Sequence, residues 1–193
     1  NGVKLLTVGT LKNQDLFLNM ESATIDQRKY YLEDTPSYPH KSKIIVDLSK
    51  QALQGGKDDM EKIYKLAKFV DDYIEDDYES NANSIFDIIE RKRGDCSEHA
   101  LLFTNLARAA GFPAREVGGW AYDGIGKFMP HAWVEVAIKA NNNFYWLPVD
   151  PTWNSVNPTN VIKANDYESI LGNFTLRLRK IRYEDGEEII LSQ

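Results

Sequence analysis

"HAWVEVAIKANNNFYWLPVD", residues 131–150, reads as two strands around a turn. "HAWVEVAIK" (131–139) and "FYWLPVD" (144–150) are rich in β-branched and aromatic residues, and the run "ANNN" between them is turn-forming. A loop centred near residues 140–142 puts His131 opposite Asp150, or one diagonal step away, on the same face of the sheet. Directly paired side chains have Cβ atoms about 4.5–5.5 Å apart, so the carboxylate can accept an imidazole N–H. Asp150 precedes Pro151, which cannot donate to a ladder and ends the strand.

Upstream of this hairpin, "AREVGGWAY" (114–122) reads as a third strand, and residues 97–110 as a helix. At about 100° per residue, Ser97, Thr104 and Arg108 fall in one narrow polar stripe with Asn105 at its edge. Ala100, Phe103, Leu106, Ala107 and Ala110 fill the opposite side, so this helix is buried on most faces. Cys96 and His99 project towards the apolar side, and Gly111 and Pro113 end the helix.

Earlier still, Ile63, Leu66, Ala67, Val70, Tyr73 and Ile74 give one apolar helical stripe within residues 58–77. A short helix over 83–94 has Ser84 as its N-cap and Gly94 as its stop, and another runs from Ile44 to about Gln54. Residues 1–43 form a leader with short-strand character in "VKLLTVGTL" and "LFLNM" and a Pro-punctuated connector, "TPSYPHKSK" (35–43). Either it packs on the main domain, residues 44–193, or it belongs to something upstream. The tail "NFTLRLRKIRYEDGEEIILS" reads as a further hairpin. Helices first and an antiparallel sheet later indicate an α+β fold.

With 193 residues the chain can bury a core without disulfides or metals. A net charge of −6 argues against nucleic acid or an anionic membrane as partner. No apolar run approaches a membrane span, and the opening does not read as a signal peptide. The chain opens "NGVKLL" without Met, which reads as a processed product or an excised piece of a larger multidomain protein.

Cys96 is the only cysteine, and by default a lone cysteine is a small buried hydrophobe. Its place at a helix start points elsewhere. There the helix dipole and unpaired N–H groups stabilise a thiolate, a nearby imidazolium does so further, and a backbone N–H can serve a developing oxyanion. Cys96, His131 and Asp150 thus fit the roles of nucleophile, base and orienting carboxylate.

Three blocks carry a resemblance. "RKRGDCSEHALLFTNLARAAGFPAREVGGW" (91–120), "HAWVEV" (131–136) and "WLPVDPTW" (146–153) resemble, in order, the core of the transglutaminase-like superfamily of papain-fold cysteine enzymes, in a compact bacterial-type form. The resemblance covers roughly residues 44–180. It implies a papain-like α+β core with the cysteine helix packed on an antiparallel sheet. It also implies nucleophilic Cys96, basic His131 and orienting Asp150, acting on an amide or peptide carbonyl through a thioester. The family includes protein crosslinkers as well as proteases and amidases. The lack of room for flanking β-domains and of an EF-hand-like loop favours hydrolysis over glutamine transamidation. A non-enzymatic binding or scaffold domain keeping the fold is the competing class. A protein or peptide substrate, no cofactor and an extracytoplasmic bacterial setting are the remaining expectations. A second oxyanion donor is sought upstream of the cysteine, among Tyr78, Asn81 and Asn83.

Other residues read more plainly. Cys96-x-x-His99 with His131 and Asp150 offers ligand types zinc accepts, but His99 reads first as a satisfied core histidine, and no metal is expected. His40 in the connector is expected to be exposed. Trp120, Trp133, Trp146 and Trp153 read as packing residues, some of them lining a substrate groove. "DDYIEDDYES" (71–80) and "ERKR" (90–93) read as solvated, and "DGIGKFMP" (123–130) as a surface loop before His131.

Overall fold

A computed structural model describes residues 20–79, 82–122, 125, 127–164, 180–182 and 188–190. In chain order it contains α1 (Ile25–Tyr30), α2 (Lys43–Ala52), α3 (Asp59–Tyr73), β1 (Glu75–Asp76), α4 (Ile85–Arg91), β2 (Arg93–Gly94) and α5 (Cys96–Ala109). The strands β3 (Ala114–Tyr122), β4 (Phe128–Ala140), β5 (Asn143–Asp150), β6 (Ser155–Val156), β7 (Val161–Lys163), β8 (Lys180–Arg182) and β9 (Glu188–Ile190) follow.

The decisive hairpin is β4–β5. Ala140 pairs with Asn143, so the loop is two residues, and both of them, Asn141 and Asn142, have positive φ of 49° and 67°. A type I′ turn demands positive φ at both central positions, and Asn is among the residues that tolerate it. The ladder runs from that turn to Val134↔Val149. Extended along the strands, this register sets Asp150 one diagonal step from His131, the second of the two expected placements.

Five strands form one antiparallel sheet in the order β6-β5-β4-β3-β7. Val134, Val136, Ile138, Leu147 and Val149 share a core with Leu102, Phe103 and Leu106 of α5, Ile63, Leu66 and Val70 of α3, and Ile85 and Ile88 of α4. Full burial of each such side chain contributes about 1.5–3 kcal/mol. Because strand residues alternate, Ala137 and Trp146 face the other way, where a smaller cluster forms with Ala23, Tyr31 and Phe144.

The described part of the leader is built onto this second face. Ala23 N–H donates to the Phe144 carbonyl (2.8 Å), and Trp146 N–H to that of Glu21 (2.9 Å). The Glu21 carboxylate meets Arg115 at 2.6 Å, while Arg115 and Lys163 both hold Glu135 of β4, at 2.7 and 2.8 Å. Glu135 is buried, so these two cations compensate its charge and tie β3, β4 and β7 together.

Three local readings are corrected. Gly94 does not stop a helix: α4 ends at Arg91 with Lys92 in the left-handed region (φ 54°), and Gly94 lies in β2, which pairs in parallel with β1. His40 is buried, 4% exposed, with Nδ1 3.2 Å from the Tyr38 carbonyl, because the connector folds back on itself. Phe128–Pro130, read as part of a loop, already belong to β4, whereas Asp123, Gly124 and Gly126 lie outside the described residues. So do the strand-like stretches of residues 1–19 and most of the tail, of which β8 and β9 form an antiparallel pair.

Candidate active site

The sequence Gly94-Asp95-Cys96-Ser97-Glu98 builds a tight helix start. Asp95 is the N-cap, its carboxylate accepting the Ser97 N–H at 2.7 Å, and Glu98 reaches back to the Asp95 N–H at 2.8 Å. The same carboxylate also takes the Glu98 N–H, completing a capping box. Glycine precedes it for lack of space: a Cβ on Gly94 would lie 2.3 Å from the Glu98 Cβ. Cys96 is the first residue of α5 and is half-buried. The cap takes the N–H groups of Ser97 and Glu98, which leaves the Cys96 N–H outside it.

On the sheet, His131 Nε2 and Asp150 Oδ2 are 2.8 Å apart, and the other carboxylate oxygen, Oδ1, accepts the Thr152 N–H at 3.1 Å. That turn around Pro151 pins the carboxylate from its far side. Asp150 is fully buried and His131 is 8% exposed. Cys96 is near enough to the same imidazole to be among the groups that raise its pKa. Burial pushes the His131 pKa down, but Asp150 and Cys96 outweigh it and hold the ring at about 9. The imidazolium is therefore the resting form at neutral pH.

Trp153 was read as a packing residue, yet it is 44% exposed and lies flat on the His131 ring, with centroids 4.3 Å apart and planes 9° from parallel. Trp120, Trp133 and Trp146 are buried, as expected of packing residues. The available signal for Trp153 was its place three residues after Asp150, across a Pro-containing turn that brings the chain back over the pair.

His99 is a buried histidine with partners. Its Nδ1 lies 2.7 Å from the Asp95 carbonyl, and its Nε2 lies 3.9 Å from Asp76. Among the described residues, no group of three or more His, Cys, Asp or Glu side chains is arranged to hold a metal ion. Of the residues considered as a second oxyanion donor, Tyr78 is 84% exposed, Asn83 donates its backbone N–H to the Asp87 carboxylate (3.0 Å), and Asn81 lies outside the described residues.

The cysteine helix, the hairpin and their order along the chain coincide with a family model. The model for the transglutaminase-like superfamily matches residues 46–151, more than half of the chain. The chain belongs to this superfamily. That membership supports a cysteine-dependent enzyme. No curated protein matches it. Among solved structures it is similar to a proposed cysteine protease of Cytophaga hutchinsonii, with TM-score 0.60 and 22% identity over 81% of this chain and 50% of that one. It is also similar to the periplasmic domain of TgpA from Pseudomonas aeruginosa, with TM-score 0.52 and 20% identity over 68% of this chain and 50% of that one. These likenesses establish the shared transglutaminase-like, papain-like α+β fold. The chain spans about half the length of those structures. Among the described residues, no helix is long and apolar enough to cross a membrane.

Proposed function

We propose that this transglutaminase-like domain hydrolyses an amide or peptide bond through a thioester on Cys96, with His131 as general base and acid and Asp150 orienting the imidazole. The observation that carries this reading is the position of His131, held by Asp150 through Nε2 at 2.8 Å, with the only thiol in the chain among the groups that raise its pKa.

With the Cys96 proton carried by His131, the thiolate attacks a carbonyl carbon. As the S–C bond forms, the carbonyl electrons move onto oxygen, and the Cys96 N–H at the helix start is placed to accept that charge. Collapse of the tetrahedral species breaks the C–N bond, and the imidazolium gives its proton to the departing amine. His131, now neutral, takes a proton from water as the water attacks the thioester. Collapse breaks the C–S bond, releases the acid and leaves the thiolate beside the imidazolium, as at the start. Asp150 stays ionised and fixes the ring's orientation throughout.

Hydrolysis is favoured over transfer to an amine by the name of the Cytophaga neighbour, a protease. An extracytoplasmic setting is proposed by likeness to a periplasmic domain. Intact mass spectrometry after incubation with peptide and amide libraries, with and without a primary amine, tests the reaction. The expected result is an acyl adduct on Cys96 that passes to water even when amine is present. Transfer to the amine alone would make the chain a transamidase, and no adduct from any library would support the scaffold reading.

A further inference from the structure

The histidine one turn into α5 has no part in the chemistry above, yet it touches the peptide group on which that chemistry depends. His99 is 1% exposed, and its Nδ1 lies 2.7 Å from the carbonyl oxygen of Asp95. A carbonyl oxygen only accepts, so Nδ1 must carry the proton in this contact. The same oxygen accepts the His99 backbone N–H at 3.1 Å, the first bond of the helix. The Asp95 carbonyl and the Cys96 N–H belong to one peptide unit, which is planar and polarised as a whole. A second donor on its oxygen draws electron density towards that end and makes the N–H at the other end a stronger donor. It also fixes the direction in which that N–H points.

We propose that His99 is a positioning residue for acyl transfer: by donating from Nδ1 to the Asp95 carbonyl, it aims and polarises the Cys96 N–H that receives the oxyanion. This inference rests on Cys96 being the nucleophile. On the far side of the ring the Asp76 carboxylate stands 3.9 Å from Nε2. The helix itself shows that a shorter donor can make the same contact. Asn105 Nδ2 donates to the Leu101 carbonyl at 3.0 Å, also four residues back.

Two reagents separate this role from activation of the thiol. Iodoacetamide alkylates a thiolate by displacing iodide, a step with no oxyanion. p-Nitrophenyl acetate acylates it: sulfur bonds the carbonyl carbon, charge builds on oxygen, and the C–O bond breaks to leave an acetyl thioester and p-nitrophenolate. His99→Phe, which keeps a ring but lacks the donor, is expected to slow acetylation of Cys96 by about tenfold, less than the roughly 10²–10³ lost with a whole oxyanion donor. Its alkylation rate should stay within about twofold of wild type. His99→Asn, with a donor of the Asn105 kind, should recover most of the acetylation. If His99→Phe leaves acetylation unchanged, or slows both reagents equally, the inference is overturned. If wild type is not acetylated on Cys96 at all, the proposed reaction falls first and takes this inference with it. A ¹⁵N spectrum of the wild-type imidazole needs no variant: protonated Nδ1 on His99 is required, and a bare Nδ1 contradicts the proposal even if His99→Phe does not fold.

Discussion

Trp153 stacks on His131 with ring centroids 4.3 Å apart and planes 9° from parallel. Because His131 is held near pKa 9, this places a flat aromatic face against a cation and covers one side of its bond to Asp150. Such contacts are worth roughly 0.5–2 kcal/mol. Trp153→Ala should therefore lower the His131 pKa and reduce acyl transfer by about tenfold, the rate equivalent of ~1.4 kcal/mol. NMR titration of the imidazole checks the first outcome; an unmoved pKa would reduce Trp153 to packing.

Stability should depend on pH through His131. Its folded pKa of about 9 lies above the ordinary value of 6.5, so its contribution is complete below about pH 6.5 and is lost as pH rises through about 9. The full contribution is on the order of 3 kcal/mol, at about 1.4 kcal/mol per pK unit. Denaturant midpoints measured from pH 6 to 10 should fall for wild type and flatten for His131→Ala. A fall of the same size in both proteins would assign it to other groups.

Gly119 sits opposite His131 on β3, and a Cβ there would meet the Ile162 carbonyl of β7 at 2.0 Å and the Trp133 ring at 2.7 Å. The first obstacle is backbone and cannot rotate away. Gly119→Ala should thus cost about 1–3 kcal/mol, the usual scale of overpacking. Urea unfolding measures this, and hydrogen exchange should show faster opening of the β3–β7 pairing.

The capping box before Cys96 gives a milder expectation. Asp95→Ala removes the carboxylate that takes the Ser97 and Glu98 N–H groups and should cost ~1 kcal/mol. Asp95→Asn, which keeps a side-chain oxygen, should restore most of it. Thermal melts of the two variants distinguish loss of the cap from loss of charge.

Much of this was legible in the sequence, and the rest was hidden for physical reasons. Strand β3 carries the expected bounds, and the β4–β5 hairpin could be placed because two adjacent asparagines mark a turn that fixes register. The juxtaposition of His131 and Asp150 followed from that register. The short strands β1, β2 and β7 carry too few residues for any periodicity to appear, and α1 is a helix of six residues with no buried side chain. His40 looked exposed because prolines mark a connector without showing that it folds inward. Gly94 was misread because its need for space comes from Glu98, a neighbour only once the capping box forms.

The central claim is that His131 and Cys96 form an activated pair. The most direct test is the rate of iodoacetamide labelling of Cys96 at pH 6, where a free thiol of pKa about 8.5 is almost wholly protonated. Wild type should label at least about tenfold faster than a cysteine in an unstructured peptide, and His131→Ala should lose that advantage. Labelling no faster than the peptide, and unchanged by His131→Ala, would contradict it.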